Sequence, residues 1–132
     1  MQPEASSIVN PDDTAWESRS DPDIRARSAI RWKLLLTRDR TPTSSMTLGL
    51  LEIPPGAHLL RHHHALPESY YFLEGTGTLE IDGQISSVGP GATIYIAPNA
   101  SHRLVNPGPT TLRLLFMFPV DSFDEVVYQF EE

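Results

Sequence analysis

Cysteine is absent from the 132 residues, which excludes a disulfide framework and a closed thiolate cage for structural zinc. That absence is compatible with any compartment, so a cytoplasmic location is only the default expectation. Positive charge is scarce: 10 Lys and Arg stand against 17 Asp and Glu, a net charge of −7. No basic run gathers the few cations, so neither nucleic acid nor an anionic membrane is an expected partner. No apolar run approaches membrane-spanning length, and nothing near Met1 has the apolar stretch of a secretory signal. Helical period is also missing beyond about two turns, with Ser122 to Tyr128 the one possible exception.

What remains is a soluble-type chain of one domain's length, long enough to bury a core. Residues 1–28 are expected to form an arm, partly ordered or docked on the body of the domain or on a second subunit. Most of it is polar and broken by Pro3, Pro11 and Pro22, with Ile8 and Trp16 as isolated apolar points. Residues 29–132 carry the domain and a C-terminal extension. From Ser28 to Thr37 the chain alternates, Ile30, Trp32, Leu34 and Leu36 on one face and Arg31 and Lys33 on the other. That is a half-buried strand. Short strand-like runs follow, divided by Pro54-Pro55-Gly56, Asp82-Gly83, Gly89-Pro90-Gly91 and Pro107-Gly108-Pro109. Asp-Gly between alternating runs is a hairpin signal. Many short strands at regular spacing imply an all-β sandwich or barrel.

The chemistry gathers between Gly56 and Gly75. His62 and His64 share one strand face and His63 the other, while Glu68, Tyr70 and Phe72 form a second alternating set beyond Pro67. If the two segments fold back as antiparallel neighbours, two imidazoles and a carboxylate converge. One histidine lies downstream of this cluster, His102, opening the stretch His102 to Asn106. Three imidazoles and a carboxylate suit one divalent transition metal: Fe, Mn, Ni or Zn. Burying these groups without a metal would leave polar atoms needing other partners. Tyr70 lies on the ligand face by parity.

These residues resemble the cupin superfamily, and specifically a small single-domain cupin. Its first motif is matched by Gly56, His62, His64, Glu68 and Gly75, and its second by Gly91, His102 and Asn106. Ala97 and Asn99 replace the usual proline and glycine of the second motif; Asn tolerates the left-handed conformation that a turn glycine supplies. The resemblance implies a double-stranded β-helix, or jelly-roll barrel, with the metal in its mouth. A narrower resemblance is to dimethylsulfoniopropionate lyases of the cupin type. It is carried by Arg31 to Leu34, by Glu68-Ser69-Tyr70 and by the tail from Phe118 to Tyr128, and it leaves the N-terminal arm outside.

It implies a small carboxylate substrate, a β-elimination giving acrylate and dimethyl sulfide, and two substrate-facing tyrosines, Tyr70 and Tyr128. An iron or nickel dioxygenase and a non-catalytic small-ligand-binding protein are the other readings, because one fold hosts many activities. A homodimer is the assembly that small cupins imply, with the Ile30 to Leu36 face available to it if the barrel does not cover that face. His58 is expected to be a solvent-exposed strand residue although it shares parity with His62. His63 is expected at the surface or a subunit contact. Trp32, Phe116 and Phe118 are read as core or interface. Arg113 is a candidate for a substrate carboxylate or for an edge position.

Overall fold

The alternating runs form ten strands in a computed structural model that describes residues 3–132. In chain order they are β1 (Arg31–Leu36), β2 (Thr47–Ile53), β3 (His58–His63), β4 (Glu68–Glu74), β5 (Gly77–Ile81), β6 (Gln84–Val88), β7 (Thr93–Ile96), β8 (His102–Val105), β9 (Leu112–Phe118) and β10 (Gln129–Phe130). They make two five-stranded antiparallel sheets, ordered β1-β2-β9-β4-β7 and β10-β3-β8-β5-β6. This is the jelly-roll architecture the motifs imply. Ile53, Phe72, Leu79, Ile96, Leu104, Leu112, Leu114 and Phe118 fill the space between the sheets and are fully buried.

Three turns show how local chemistry sets the register. Asp82 and Gly83 both take positive φ (48° and 83°), the geometry of a two-residue hairpin between β5 and β6. Asn99 takes φ 62° and its backbone N–H donates to the His64 carbonyl at 2.8 Å. The asparagine thus supplies the turn and fastens the second motif to the first. Asn106 is buried; its amide donates to the Ile53 and Thr110 carbonyls, and its side-chain oxygen accepts from Gly108 N–H. It holds the β8–β9 turn rather than any ligand. Gly49 of β2 is required by close approach: an added Cβ would lie 2.1 Å from the Phe116 ring.

The structure corrects several expectations. Segments β3 and β4 are not antiparallel neighbours; they belong to opposite sheets and face one another across the barrel. The outer face of β1 is partly covered as well, although Arg31 stays exposed. Lys33 is buried, donates its amino group to the Pro11 carbonyl and lies over the Trp16 ring, which also stacks on Arg31. The inner face, Ile30, Trp32 and Leu34, is buried by the barrel itself, so it is not free for a second subunit. The stretch from Ser122 to Tyr128 holds only a 3-10 turn at Phe123–Glu125. A short helix that the sequence did not announce, α1 (Pro22–Arg27), is capped by Asp21, whose carboxylate accepts from Asp23 and Ile24 N–H.

Backbone bonds join Glu17 to Trp32 in both directions at 2.8 and 2.9 Å, holding the N-terminal segment along β1. No helix among the described residues is long and apolar enough to cross a membrane.

Candidate metal centre

Histidines 62 and 102 are direct cross-strand partners in the β3–β8 pair, so their rings meet on the inner face with centroids 4.1 Å apart. His64 lies one residue beyond β3, and Glu68 opens β4 on the facing sheet. All four side chains are buried, and one ligand atom from each falls within 4.8 Å of every other. The convergence comes from the stacking of two sheets, with three groups from one and the carboxylate from the other.

A shared detail sets the chemistry of the three imidazoles. Nδ1 of His62, His64 and His102 hydrogen bonds a backbone carbonyl two residues away: Leu60 at 2.7 Å, Leu66 at 2.7 Å and Ala100 at 2.8 Å. A carbonyl only accepts, so each Nδ1 carries a proton and each neutral ring presents an Nε2 lone pair inward. Such outer partners orient metal-binding imidazoles. His102 Nε2 is buried with no hydrogen-bond partner and lies 3.5 Å from the Glu68 carboxylate. His64 Nε2 faces the same oxygen at 3.2 Å. Two lone-pair bearers at that distance need a cation between them, and three nitrogens with one oxygen are a donor set for a divalent transition ion. The residues fit such a metal.

The electrostatics agree. Burial, reinforced by the neighbouring His102 imidazole, lowers His62 to about 3, so it is neutral. Burial works to raise the Glu68 carboxyl, but the adjacent His102 and His64 imidazoles outweigh it and hold it below its ordinary value. For His64, burial works downward and Glu68 wins, so the imidazole is raised. In the absence of a metal, a proton takes part of that place.

Tyr70 and Tyr128 stand beside this cluster. Tyr70, two residues after Glu68 on β4, is buried with its ring 6.4 Å from His102. Tyr128 arrives from the C-terminal segment, which β10 pins to β3 by pairing Phe130 with His62 and Gln129 with His63. Its ring lies 5.1 Å from His62 and 5.5 Å from His64. Burial first, then the Glu68 charge, pushes both hydroxyls above their ordinary value. A cavity of about 30 Å³ is lined by His62, Glu68, Tyr70 and Tyr128 together with Trp32 and Arg19.

The remaining candidates lie elsewhere. His58 is half-buried, not solvent-exposed, with Nε2 3.8 Å from the Glu132 carboxylate. A register shift between Leu59 and His62 breaks the parity that linked it to the cluster. His63 points outward and pairs with Glu131 at 3.1 Å. Arg113 is spent on Glu52 and Glu74 at 3.0 and 3.1 Å on the outer face, away from the cavity. Trp32, Phe116 and Phe118 are core, and the first two also line the cavity. Arg19 is the functional candidate that the sequence did not mark. It sits in a polar arm with no periodic pattern, and only the fold brings it over the cavity.

A sequence profile of the cupin domain matches residues 49–118. The chain is 37% identical over 101 residues to the dimethylsulfoniopropionate lyase DddW of Ruegeria pomeroyi, covering 76% of this chain and 66% of that protein. It is 26% identical to the tetracenomycin polyketide synthase protein TcmJ of Streptomyces glaucescens, over 64% of this chain and 57% of that one. The chain thus spans 57% to 66% of the length of these curated relatives. Among solved structures, the polyketide cyclase RemF of Streptomyces resistomycificus superposes with a TM-score of 0.79 at 22% identity, covering 97% of this chain and 87% of that one. A structure from work on the lyases RdDddP and RnDddQII superposes with a TM-score of 0.74 at 16% identity, over 90% and 63%. Both structural likenesses speak to the fold.

Proposed function

The chain belongs to the cupin family, and from that premise we propose that it is a metal-dependent carbon–sulfur lyase of a small carboxylate, cleaving dimethylsulfoniopropionate or a close analogue. The observation that carries the reading is the single cavity that His62 and Glu68 share with Tyr70 and Tyr128. Identity to the Ruegeria pomeroyi lyase over three quarters of the chain supports it.

In this reading His62, His64, Glu68 and His102 hold one divalent ion. When bound, the ion would supply Lewis-acid stabilisation to a carboxylate whose α carbon is losing a proton, and would offset the Glu68 charge that adds to burial in keeping both phenols protonated. Tyr70, once its own proton has passed to solvent, would accept the α proton at Oη as phenolate and return it to solvent after the elimination. The released C–H pair forms the Cα=Cβ bond, and the Cβ–S bond breaks with its pair going to sulfur. Acrylate and neutral dimethyl sulfide result. Tyr128, packed on His62 and His64, positions the substrate and the proton path. Ile30, Leu51, Leu59 and Phe116 line the same cavity and exclude water from the developing charge. Equimolar release of acrylate and dimethyl sulfide, lost in Tyr70→Phe, tests the reading; full turnover in both Tyr70→Phe and Tyr128→Phe contradicts the assigned roles.

The homodimer is part of the proposal. With the apolar face of β1 buried in the barrel and Lys33 covered by the arm, the candidate surface is the outer face of β4, β7 and β9, where Tyr71, Leu73, Tyr95 and Met117 are exposed.

A further inference from the structure

Arg19 has an unusual set of neighbours for a cation. Its guanidinium carbon lies 4.5 Å from the Tyr128 ring centroid, 5.1 Å from Phe130 and 5.2 Å from Trp32. All three are within the roughly 6 Å range of cation–π attraction. Tyr128 and Phe130 stack nearly parallel, 13° apart, so the three rings form a box around the charge. Arg19 has no carboxylate partner among the described residues; its neighbours are the three ring faces and the Tyr128 hydroxyl, with which it hydrogen bonds.

That box opens into the metal cavity, since Arg19, Trp32 and Tyr128 line it with His62, Glu68 and Tyr70. The remaining space, about 30 Å³, holds about two waters and is too small for a substrate that carries both a carboxylate and an onium head. Some lining group must leave. Most are buried core residues, whereas Arg19 is partly exposed and comes from the arm beside the barrel. The Glu17–Trp32 backbone bridge anchors the arm two residues away, so the side chain can swing out while the arm stays in place.

We propose that the Trp32, Tyr128 and Phe130 box is a subsite for a methylated onium group, sulfonium or quaternary ammonium, and that Arg19 is its resident cation, displaced when the onium enters. The proposal deepens the lyase reading and rests on it for the substrate, although the cation exchange itself needs no turnover. A guanidinium has five N–H donors, which the Tyr128 hydroxyl and the ring faces satisfy less fully than water does; a methylated onium has none to satisfy, so the exchange favours it. The carboxylate end then falls towards the His62 and Glu68 side of the cavity. Arg19 thereby selects for a cationic ligand, because a neutral or purely anionic one has nothing to put in the box it would open.

The test is a titration of the full-length chain with tetramethylammonium chloride, which has no carboxylate and cannot eliminate. The indole N–H resonance of Trp32 is followed by NMR and assigned by comparison with Trp16→Phe, which removes the other indole. A saturable shift absent with sodium chloride is expected, with its midpoint lowered about tenfold in Arg19→Gln and raised several-fold in Trp32→Phe. Arg19→Lys keeps a cation and stays near the wild-type midpoint. In the unmodified chain the Arg19 Nε–H resonance should lose its ring-current shift as the ligand binds, which tests the exchange with no variant. An unchanged or higher midpoint in Arg19→Gln, or no saturable shift in the unmodified chain, overturns the proposal. Lyase turnover can succeed or fail independently of this result.

Discussion

His64 Nε2 and Glu68 Oε1 lie 3.2 Å apart, while the Nδ1 proton of the same imidazole is held by the Leu66 carbonyl. With the tautomer fixed from outside, the inward contact is between two electron-pair donors. A proton on His64 or a metal ion reconciles them, and the ion does so for all three imidazoles at once. His102, whose Nε2 has no hydrogen-bond partner, repeats the argument from the neighbouring strand.

A divalent ion should therefore bind with one-to-one stoichiometry, and His102→Ala should weaken it more than the roughly 10–100-fold that losing an outer partner costs. Elemental analysis after dialysis against Mn(II), Fe(II), Ni(II) and Zn(II) measures this. Full retention of every metal by His102→Ala would contradict the ligand assignment.

Protons compete for the same site. His62 is lowered from 6.5 to about 3, so between those values the unfolded chain binds a proton that the folded chain refuses, and stability falls as pH falls. Glu68 is also lowered; its contribution is present above the unfolded carboxyl value and is lost as pH falls through the folded one. His64 is raised and works in the opposite direction, its contribution disappearing as pH rises through its folded value. Between pH 6.5 and 4 the His62 penalty grows while the His64 gain is already complete and the Glu68 loss has yet to set in, so the melting temperature of the metal-free protein declines over that range. The gain on adding Mn(II) should shrink over the same range, because the ion must displace protons. Circular dichroism melts with chelator and with Mn(II) check both, and a flat metal-free profile would count against the buried neutral His62.

Gly49 and Phe116 share one volume. Gly49→Ala places a methyl 2.1 Å from the ring, and overpacking of this kind costs about 1–3 kcal/mol. Phe116→Leu in the same chain should recover part of that loss. Urea unfolding of the single and double variants measures it, and additive losses would refute the shared-volume account.

Light scattering at micromolar concentration is expected to give the mass of a dimer, and Tyr71→Asp with Met117→Asp that of a monomer. An unmodified chain that runs as a monomer would remove the outer face of β4, β7 and β9 as the contact.

Much of this was legible in the residues. The i, i+2 spacing of His62 and His64, the Glu68 that follows and the lone downstream His102 marked the cluster, because strand parity turns spacing into direction. Asp82-Gly83 marked its hairpin for the same local reason. What the sequence did not carry was pairing between distant segments. Nothing in His62 to Glu68 says that the two runs join opposite sheets, and the bulge after Leu59 removed the parity argument for His58. Alternation places Lys33 on the polar face and cannot show its cover, because Pro11 lies 22 residues upstream and Trp16 sits in the same stretch without period. Arg19 was invisible for the same reason. Helix α1, six residues between Asp21 and Ser28, is too short to leave a periodic trace.

The central claim is most directly tested by incubating the purified protein, loaded separately with Fe(II), Mn(II), Ni(II) and Zn(II), with dimethylsulfoniopropionate and measuring headspace dimethyl sulfide and acrylate together. The account predicts equimolar release with at least one ion, abolished in His62→Ala and cut by orders of magnitude in Tyr70→Phe. A protein with its ion bound that releases neither product with any of the four metals would contradict it, and would turn the site towards oxygen chemistry or ligand binding without turnover.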